Sequence, residues 1–294
     1  SLCRSICIRI RICKNNKPYP QPLPRRGSGT WGFYQSIFMN LLSKIGSYDF
    51  LVEPFHCDFS NHIFIGHLGN HLLNAADFHS NERGYGMDYL NTVHKTWVLS
   101  RFVMEMNEMP EAYDRITIDT WVENVMKFFT SRNYAIRNKE GKVYGYGRSI
   151  WAMIDTDSRQ PVDILQERDG LITKYIETTK ECPIEPFKRV KVAKTADCTH
   201  HVETHYSDVD VNGHINSVKY IEHILDMWPV EWYKTHRLKR LDIAYVAESY
   251  FGDTLHFLVE RRSDEECDIL VQKTSDDSPE MKEVCRCKLT FAKK

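Results

Sequence analysis

The stretch NGHINSVKYIEHILD, residues 212–226, has a counterpart earlier in the chain, IGHLGNHLLNAADFH, residues 65–79. Each contains a Gly-His pair, Gly66-His67 and Gly213-His214, and each continues with apolar residues at helical spacing. In the second copy Val218, Ile221, Ile224, Leu225 and Trp228 recur three, four and seven apart and form one apolar face. Lys219, Glu222 and Asp226 fall on the other side, and Pro229 is expected to end the helix. A short candidate strand precedes each helix: YDFLVEPFHC, residues 48–57, and CTHHVETHYS, residues 198–207. Four stretches rich in β-branched and aromatic residues follow each one, at 96–106, 115–123, 128–138 and 142–155, then at 237–248, 253–262, 267–273 and 282–291. The pattern predicts an α+β fold in which an antiparallel sheet wraps around one helix, built twice.

Composition sets the bounds. With 294 residues, 42% of them hydrophobic, the chain is long enough for one large or two small cores. It has no apolar run approaching the roughly 18 residues of a membrane span, which makes a cytoplasmic setting the default expectation. Its nine cysteines include no C-x-x-C pair, so reduced thiols are expected rather than a zinc ribbon or redox motif. Residues 1–38 stand apart, with seven basic residues, no acidic ones and a PYPQPLPRRGSG segment that favours extended backbone. They read as lying outside the fold, either as a mis-called start upstream of Met39 or as an Arg-rich transit peptide, which would place the protein in a plastid. Setting those seven aside leaves 32 Lys and Arg against 40 Asp and Glu, a formal charge of −8. That balance argues against a nucleic-acid partner.

Chemistry concentrates just before the second helix. Asp210, Asn212 and His214 occupy alternate positions, which in an extended approach would project to one side and end at a helix N-terminus. Backbone N–H groups and an amide there suit a developing oxyanion, while the histidine or aspartate handles a proton. Taken singly, the same residues are ordinary caps and turn formers. A metal site is a further alternative, because Cys198, His200, His201, His205, Asp208, Asp210 and His214 crowd together, but their spacing fits no zinc motif.

The run DVNGHINSVKYIEHILD resembles the D-x-N-x-H-x-N-x-x-Y signature of the acyl-acyl carrier protein thioesterases, fatty-acid-releasing enzymes of plant plastids and some bacteria. The resemblance extends from about Tyr48 to Phe291 and implies a tandem hotdog fold, each half a long helix wrapped by a curved antiparallel sheet. It implies an N-terminal hotdog at 39–154 that holds the acyl chain, a linker at 155–197 and a catalytic C-terminal hotdog at 198–294. Asp210, Asn212 and His214 take the family's polar roles, and Glu248, in AYVAESYFGDTL, takes that of its catalytic glutamate. After that glutamate the plant-type pattern has a cysteine, whereas this chain has Ser249, a doubted nucleophile because nothing near it forms a nucleophile elbow. The expected route therefore activates water, with Asp210 either orienting its neighbours or attacking directly.

The same resemblance makes Leu68, Leu72, Leu73, Ala76, Trp121 and Trp151 candidates for an acyl tunnel. His67 matches the repeat position of His214 and is expected to be structural. The partner implied is acyl carrier protein, an acidic protein that needs a basic landing surface. Lys188, Arg189, Lys191 and Lys194 form one candidate, and Arg237, Lys239 and Arg240 another. No cofactor or metal is implied, and a homodimer stays open. An acyl-coenzyme A thioesterase and a non-catalytic acyl-binding hotdog protein are the alternative readings.

Overall fold

In the computed structural model, which describes residues 41–192, 196, 198–275 and 278–294, every paired strand runs antiparallel to its neighbours in a single ten-stranded sheet. The first half contributes β1 (Ile45–Leu51), α1 (Ile65–Glu82), a short α2 (Met87–Leu90), β2 (Lys95–Met106), β3 (Arg115–Val125), β4 (Phe129–Asn138) and β5 (Val143–Asp155). The second contributes β6 (Cys198–Glu203), α3 (Ser217–Leu225), α4 (Val230–Thr235), β7 (His236–Tyr245), β8 (Thr254–Arg261), β9 (Glu266–Ser275) and β10 (Ser278–Lys293). The strand order β1-β3-β4-β5-β2-β7-β10-β9-β8-β6 reads the same from either end once each strand is matched to its repeat. The two copies meet at β2 and β7, where Arg101 to Glu105 pair with Ala244 to Arg240.

Side-chain alternation decides what each face of the sheet meets. Ile116 and Ile118 of β3, with Tyr134 and Ile136 of β4, point towards α1 and join Leu68, Leu72 and Ala76 in a core that continues through Ile221 and Ile224 of α3. The intervening residues of β3 and β4, such as Trp121 and Ala135, face the other way and pack under the connection between the halves, on Cys182 and Ile184. Arginines on that outer face satisfy the connection's carbonyls. Arg148 donates to Cys182 O at 2.7 Å and Ile184 O at 3.2 Å, and Arg240 donates to Glu185 O at 3.0 Å and Pro186 O at 2.9 Å.

The second helix is shorter than its periodicity suggests. α3 stops at Leu225, Trp228 lies in a turn, and Pro229, expected to end that helix, instead caps the start of α4. The segment at 1–38, Met39 and Lys194 lie outside the described residues.

Candidate active site

Asp210, Asn212 and His214 lie in a closed turn, not along an extended approach. Asp210 Oδ1 accepts the backbone N–H groups of Asn212 at 2.8 Å and His214 at 3.4 Å. Asp210 N–H donates to His214 O at 2.8 Å, and Gly213 N–H donates to Asp210 O at 3.0 Å. Gly213 has φ +79°, a left-handed conformation that glycine adopts without Cβ strain. The carboxylate of Asp210 is thus turned onto the backbone, while Asn212 is exposed at the apex and His214 is half-buried. The helix cap is Asn216, whose Oδ1 accepts Val218 N–H at 2.9 Å, so the polar trio is free of that duty. Behind the turn, buried Asp208 accepts His205 N–H at 2.8 Å and faces His223 Nε2 at 3.3 Å.

Glu248 comes from the loop after β7, not from the strand. A backbone bond from Ile215 N–H to Ser249 O, 2.9 Å, stitches the two loops together. It sets His214 Nε2 at 3.3 Å from Glu248 Oε2, with both side chains still partly open to solvent. Arg159, in the turn that follows β5 of the other half, pairs with the second oxygen of Glu248. Tyr250 packs edge-on against His214 with ring centroids 5.2 Å apart, and burial, reinforced by the Glu248 charge beside it, pushes its phenol up. Ser249 is fully buried, and its hydroxyl faces the Tyr220 phenol rather than opening to the site. Sequence reading missed Arg159 and Tyr250. Arg159 is 89 residues from Glu248 and nothing local marks it, whereas Tyr250 follows Ser249 directly and could have been noticed there.

The first half holds a twin of this turn, and it corrects the repeat register by five residues. The counterpart of His214 is His62, preceded by Asp58 and Ser60, while His67 matches Lys219. Asp58 N–H donates to His62 O at 2.8 Å, Asn61 N–H to Asp58 O at 3.0 Å, and Asp58 Oδ1 accepts Ser60 N–H at 2.8 Å and His62 N–H at 3.3 Å. Asn61 has φ +66° where Gly213 has +79°. Ile63 N–H reaches Pro110 O at 3.0 Å as Ile215 N–H reaches Ser249 O, which places Met109 where the second half has Glu248. The twin therefore keeps the turn but has Met109 at the position of Glu248; its histidine instead lies 3.9 Å from the exposed Glu111 carboxylate. The Gly-His pairs misled because glycine marks the turn in one copy and the helix in the other, where Gly66 lets Glu222 of α3 lie against α1.

Of the tunnel candidates, Leu68, Leu72 and Ala76 are buried on the inner face of α1, and Leu73 and Trp151 pack at its margin. Trp121 is not with them. Strand alternation turns it to the outer face of the sheet, under Cys182 and Ile184 and beneath the Lys180 ammonium at 4.9 Å, so it cannot line a space beside α1. Among the carrier-binding candidates, Lys188, Arg189, Lys191 and Lys239 are exposed, and Arg237 donates to Met106 O at 3.0 Å. Arg240 is a correction: it is 4% exposed and committed to Asp242 at 2.7 Å, Glu105 at 2.8 Å and two carbonyls, leaving nothing to offer a partner. The crowd of possible metal ligands disperses. Cys198 and His201 meet His256, while Asp208 turns to His223 and His214 to Glu248.

Two halves, each a curved antiparallel sheet over a helix, joined edge to edge with the Glu248 carboxylate present beside one polar turn and replaced by Met109 beside its twin, define a tandem hotdog protein. Residues 46–171 match the acyl-ACP thioesterase N-terminal domain, and residues 191–293 match the acyl-ACP thioesterase C-terminal domain. The chain belongs to the acyl-ACP thioesterase family. The crystal structure of an acyl-ACP thioesterase from Bacteroides thetaiotaomicron is 46% identical, superposes with a TM-score of 0.78, and is matched over 85% of this chain and 98% of that one. A 12:0-ACP thioesterase from Umbellularia californica shares the fold with a TM-score of 0.72 at 19% identity, covering 86% of this chain and 99% of that one. Among curated relatives, the chloroplastic oleoyl-acyl carrier protein thioesterase of Coriandrum sativum is 25% identical over 231 residues, which is 74% of this chain and 63% of that protein. The chain spans just over three fifths of that relative's length.

Proposed function

We infer that the protein hydrolyses the thioester of acyl-acyl carrier protein, releasing free fatty acid and ending chain elongation in fatty acid biosynthesis. The observation that carries this reading is the His214–Glu248 pair at 3.3 Å, held over a turn whose backbone Asp210 organises. Glu248 and His214 together take a proton from water as it attacks the thioester carbonyl. Asn212, exposed at the apex beside them, donates its side-chain amide to the oxyanion that forms. Asp210 is assigned to orienting the turn, its Oδ1 accepting two backbone N–H groups. Ser249 takes no covalent part: its buried hydroxyl has no base beside it, and the residue it neighbours is Tyr220. The exposed apolar side chains Val211, in the turn, and Val246 and Phe251, in the loop that carries Glu248, offer a rim for the acyl-pantetheine arm. Lys188, Arg189, Lys191 and Lys239 supply positive charge for an acidic carrier.

No helix among the described residues is long and apolar enough to cross a membrane, and the setting proposed is the bacterial cytoplasm. The test is release of free thiol from a panel of acyl-carrier proteins and matched acyl-coenzyme A thioesters. Faster turnover of the carrier-linked substrates supports the reading. Turnover confined to coenzyme A thioesters, or none by folded protein, rejects it.

A further inference from the structure

Away from the turn at 210–214, three donor atoms converge in the first half. Glu53 Oε2, His56 Nδ1 and His71 Nε2 all lie within 4.8 Å of one another. Glu53 Oε2 is 3.1 Å from His56 Nδ1 and 4.0 Å from His71 Nε2. Two further observations mark the cluster. His71 Nε2 is buried and has no hydrogen-bond partner, and the His67 ring stacks on His56 with centroids 4.0 Å apart.

The duplicated architecture shows what is unusual here. In the second half the matching positions are His205, Asp208 and His223, where one buried acid closes the turn against a backbone N–H and faces the histidine at 3.3 Å. In the first half acid and histidine trade places, Glu53 for His205 and His56 for Asp208, so the carboxylate lies outside the turn and reaches both imidazoles, at 3.1 and 4.0 Å. One proton can bridge Glu53 and His56, but it leaves the lone pair or N–H of His71 Nε2 unmet.

We propose that Glu53, His56 and His71 form a binding site for a divalent transition-metal cation of the zinc class. Two imidazole nitrogens and one carboxylate oxygen, with a fourth position left for water, are a donor set that Zn²⁺ accepts. Zinc–ligand bonds of about 2.0–2.1 Å in a tetrahedron put donors roughly 3.3 Å apart, and the two measured separations of 3.1 and 4.0 Å bracket that value. His56 sits in the 3-10 turn Pro54–His56 that leads into the twin loop, and His71 sits on α1. The ion clips that turn to the helix, the task that Asp208 performs for the turn at 210–214.

The test uses the full, untagged chain, stripped with a chelator and desalted, then titrated with Zn²⁺ by calorimetry and with Co²⁺ by visible absorption. One equivalent binds, Co²⁺ gives the intense d–d bands of a four-coordinate site, and Zn²⁺ raises the Tm. Glu53→Gln and His56→Ala, both at half-exposed positions, each weaken binding by roughly tenfold or more, as does His71→Ala. His256→Ala, in the separate Cys198, His201 and His256 group, leaves affinity unchanged. Binding that survives Glu53→Gln and His56→Ala, binding that is lost with His256→Ala, or no binding by folded protein overturns the proposal.

Discussion

Glu248→Gln tests the proposed chemistry most directly, because it keeps the shape of the side chain and removes its basicity. A positioned acid–base group is worth about 10²–10⁴-fold in rate, or about 2.7–5.5 kcal/mol at about 1.36 kcal/mol per decade. His214 Nε2 lies 3.3 Å from the carboxylate, so the two act on one proton and their losses overlap. His214→Ala alone is therefore expected to cost a similar factor, and the double variant little more than the worse single. Ser249→Ala removes a fully buried hydroxyl that faces Tyr220 and not the site, so it leaves kcat within about threefold and changes stability by no more than about 1 kcal/mol. The assay is thiol release from acyl-carrier protein under saturating and limiting substrate, with circular dichroism to establish that each variant folds. Multiplying losses in the double variant would refute the shared-proton argument. A Ser249→Ala enzyme as inactive as Glu248→Gln would refute the water route.

Four other outcomes follow from the geometry. Arg159→Ala frees one oxygen of Glu248 and is expected to lower kcat about tenfold with KM little changed, a loss that Arg159→Lys partly restores in the same assay. Gly213→Asn, which copies the left-handed Asn61 of the twin turn, should keep most activity, whereas Gly213→Val should cost about 1–2 kcal/mol in denaturant unfolding and disable the turn. His79 is fully buried, donates from Nε2 to Lys44 O at 3.0 Å, accepts the Tyr85 hydroxyl at Nδ1 at 3.0 Å, and is pulled down to about 2, first by burial and then by the nearby Arg132 and Arg83 charges. Below about pH 6.5 the unfolded chain takes up a proton that the folded one refuses, so stability falls with pH, by about 2 kcal/mol at pH 5 for this group; His79→Gln should flatten that part of the stability–pH curve. Arg240→Met strands Asp242, which is fully buried at the β2–β7 seam, and should cost about 3–5 kcal/mol by chemical denaturation.

Much of this molecule is local in origin. Strand and helix periodicity, the duplicated order of elements and the signature around Asp210, Asn212 and His214 are written in neighbouring residues, because amphipathic period and turn chemistry act over a few positions. Glu248 was found through resemblance, since nothing near it in sequence points to a histidine 34 positions earlier. Three matters were decided only by the tertiary structure. The repeat register was one: two glycines serve different ends, and only the matching hydrogen bonds at Asp58 and Asp210 identify His62 as the twin of His214. The faces of Trp121 and Arg240 were another, because a side chain's role in a duplicated sheet depends on what covers each side. The third was the reach of Arg159 to Glu248, and of Glu53 to His56 and His71, each set by how loops from separate strands and helices are brought together. Short-range pattern fixes which residues can form a turn or a strand; long-range packing alone fixes which charges meet.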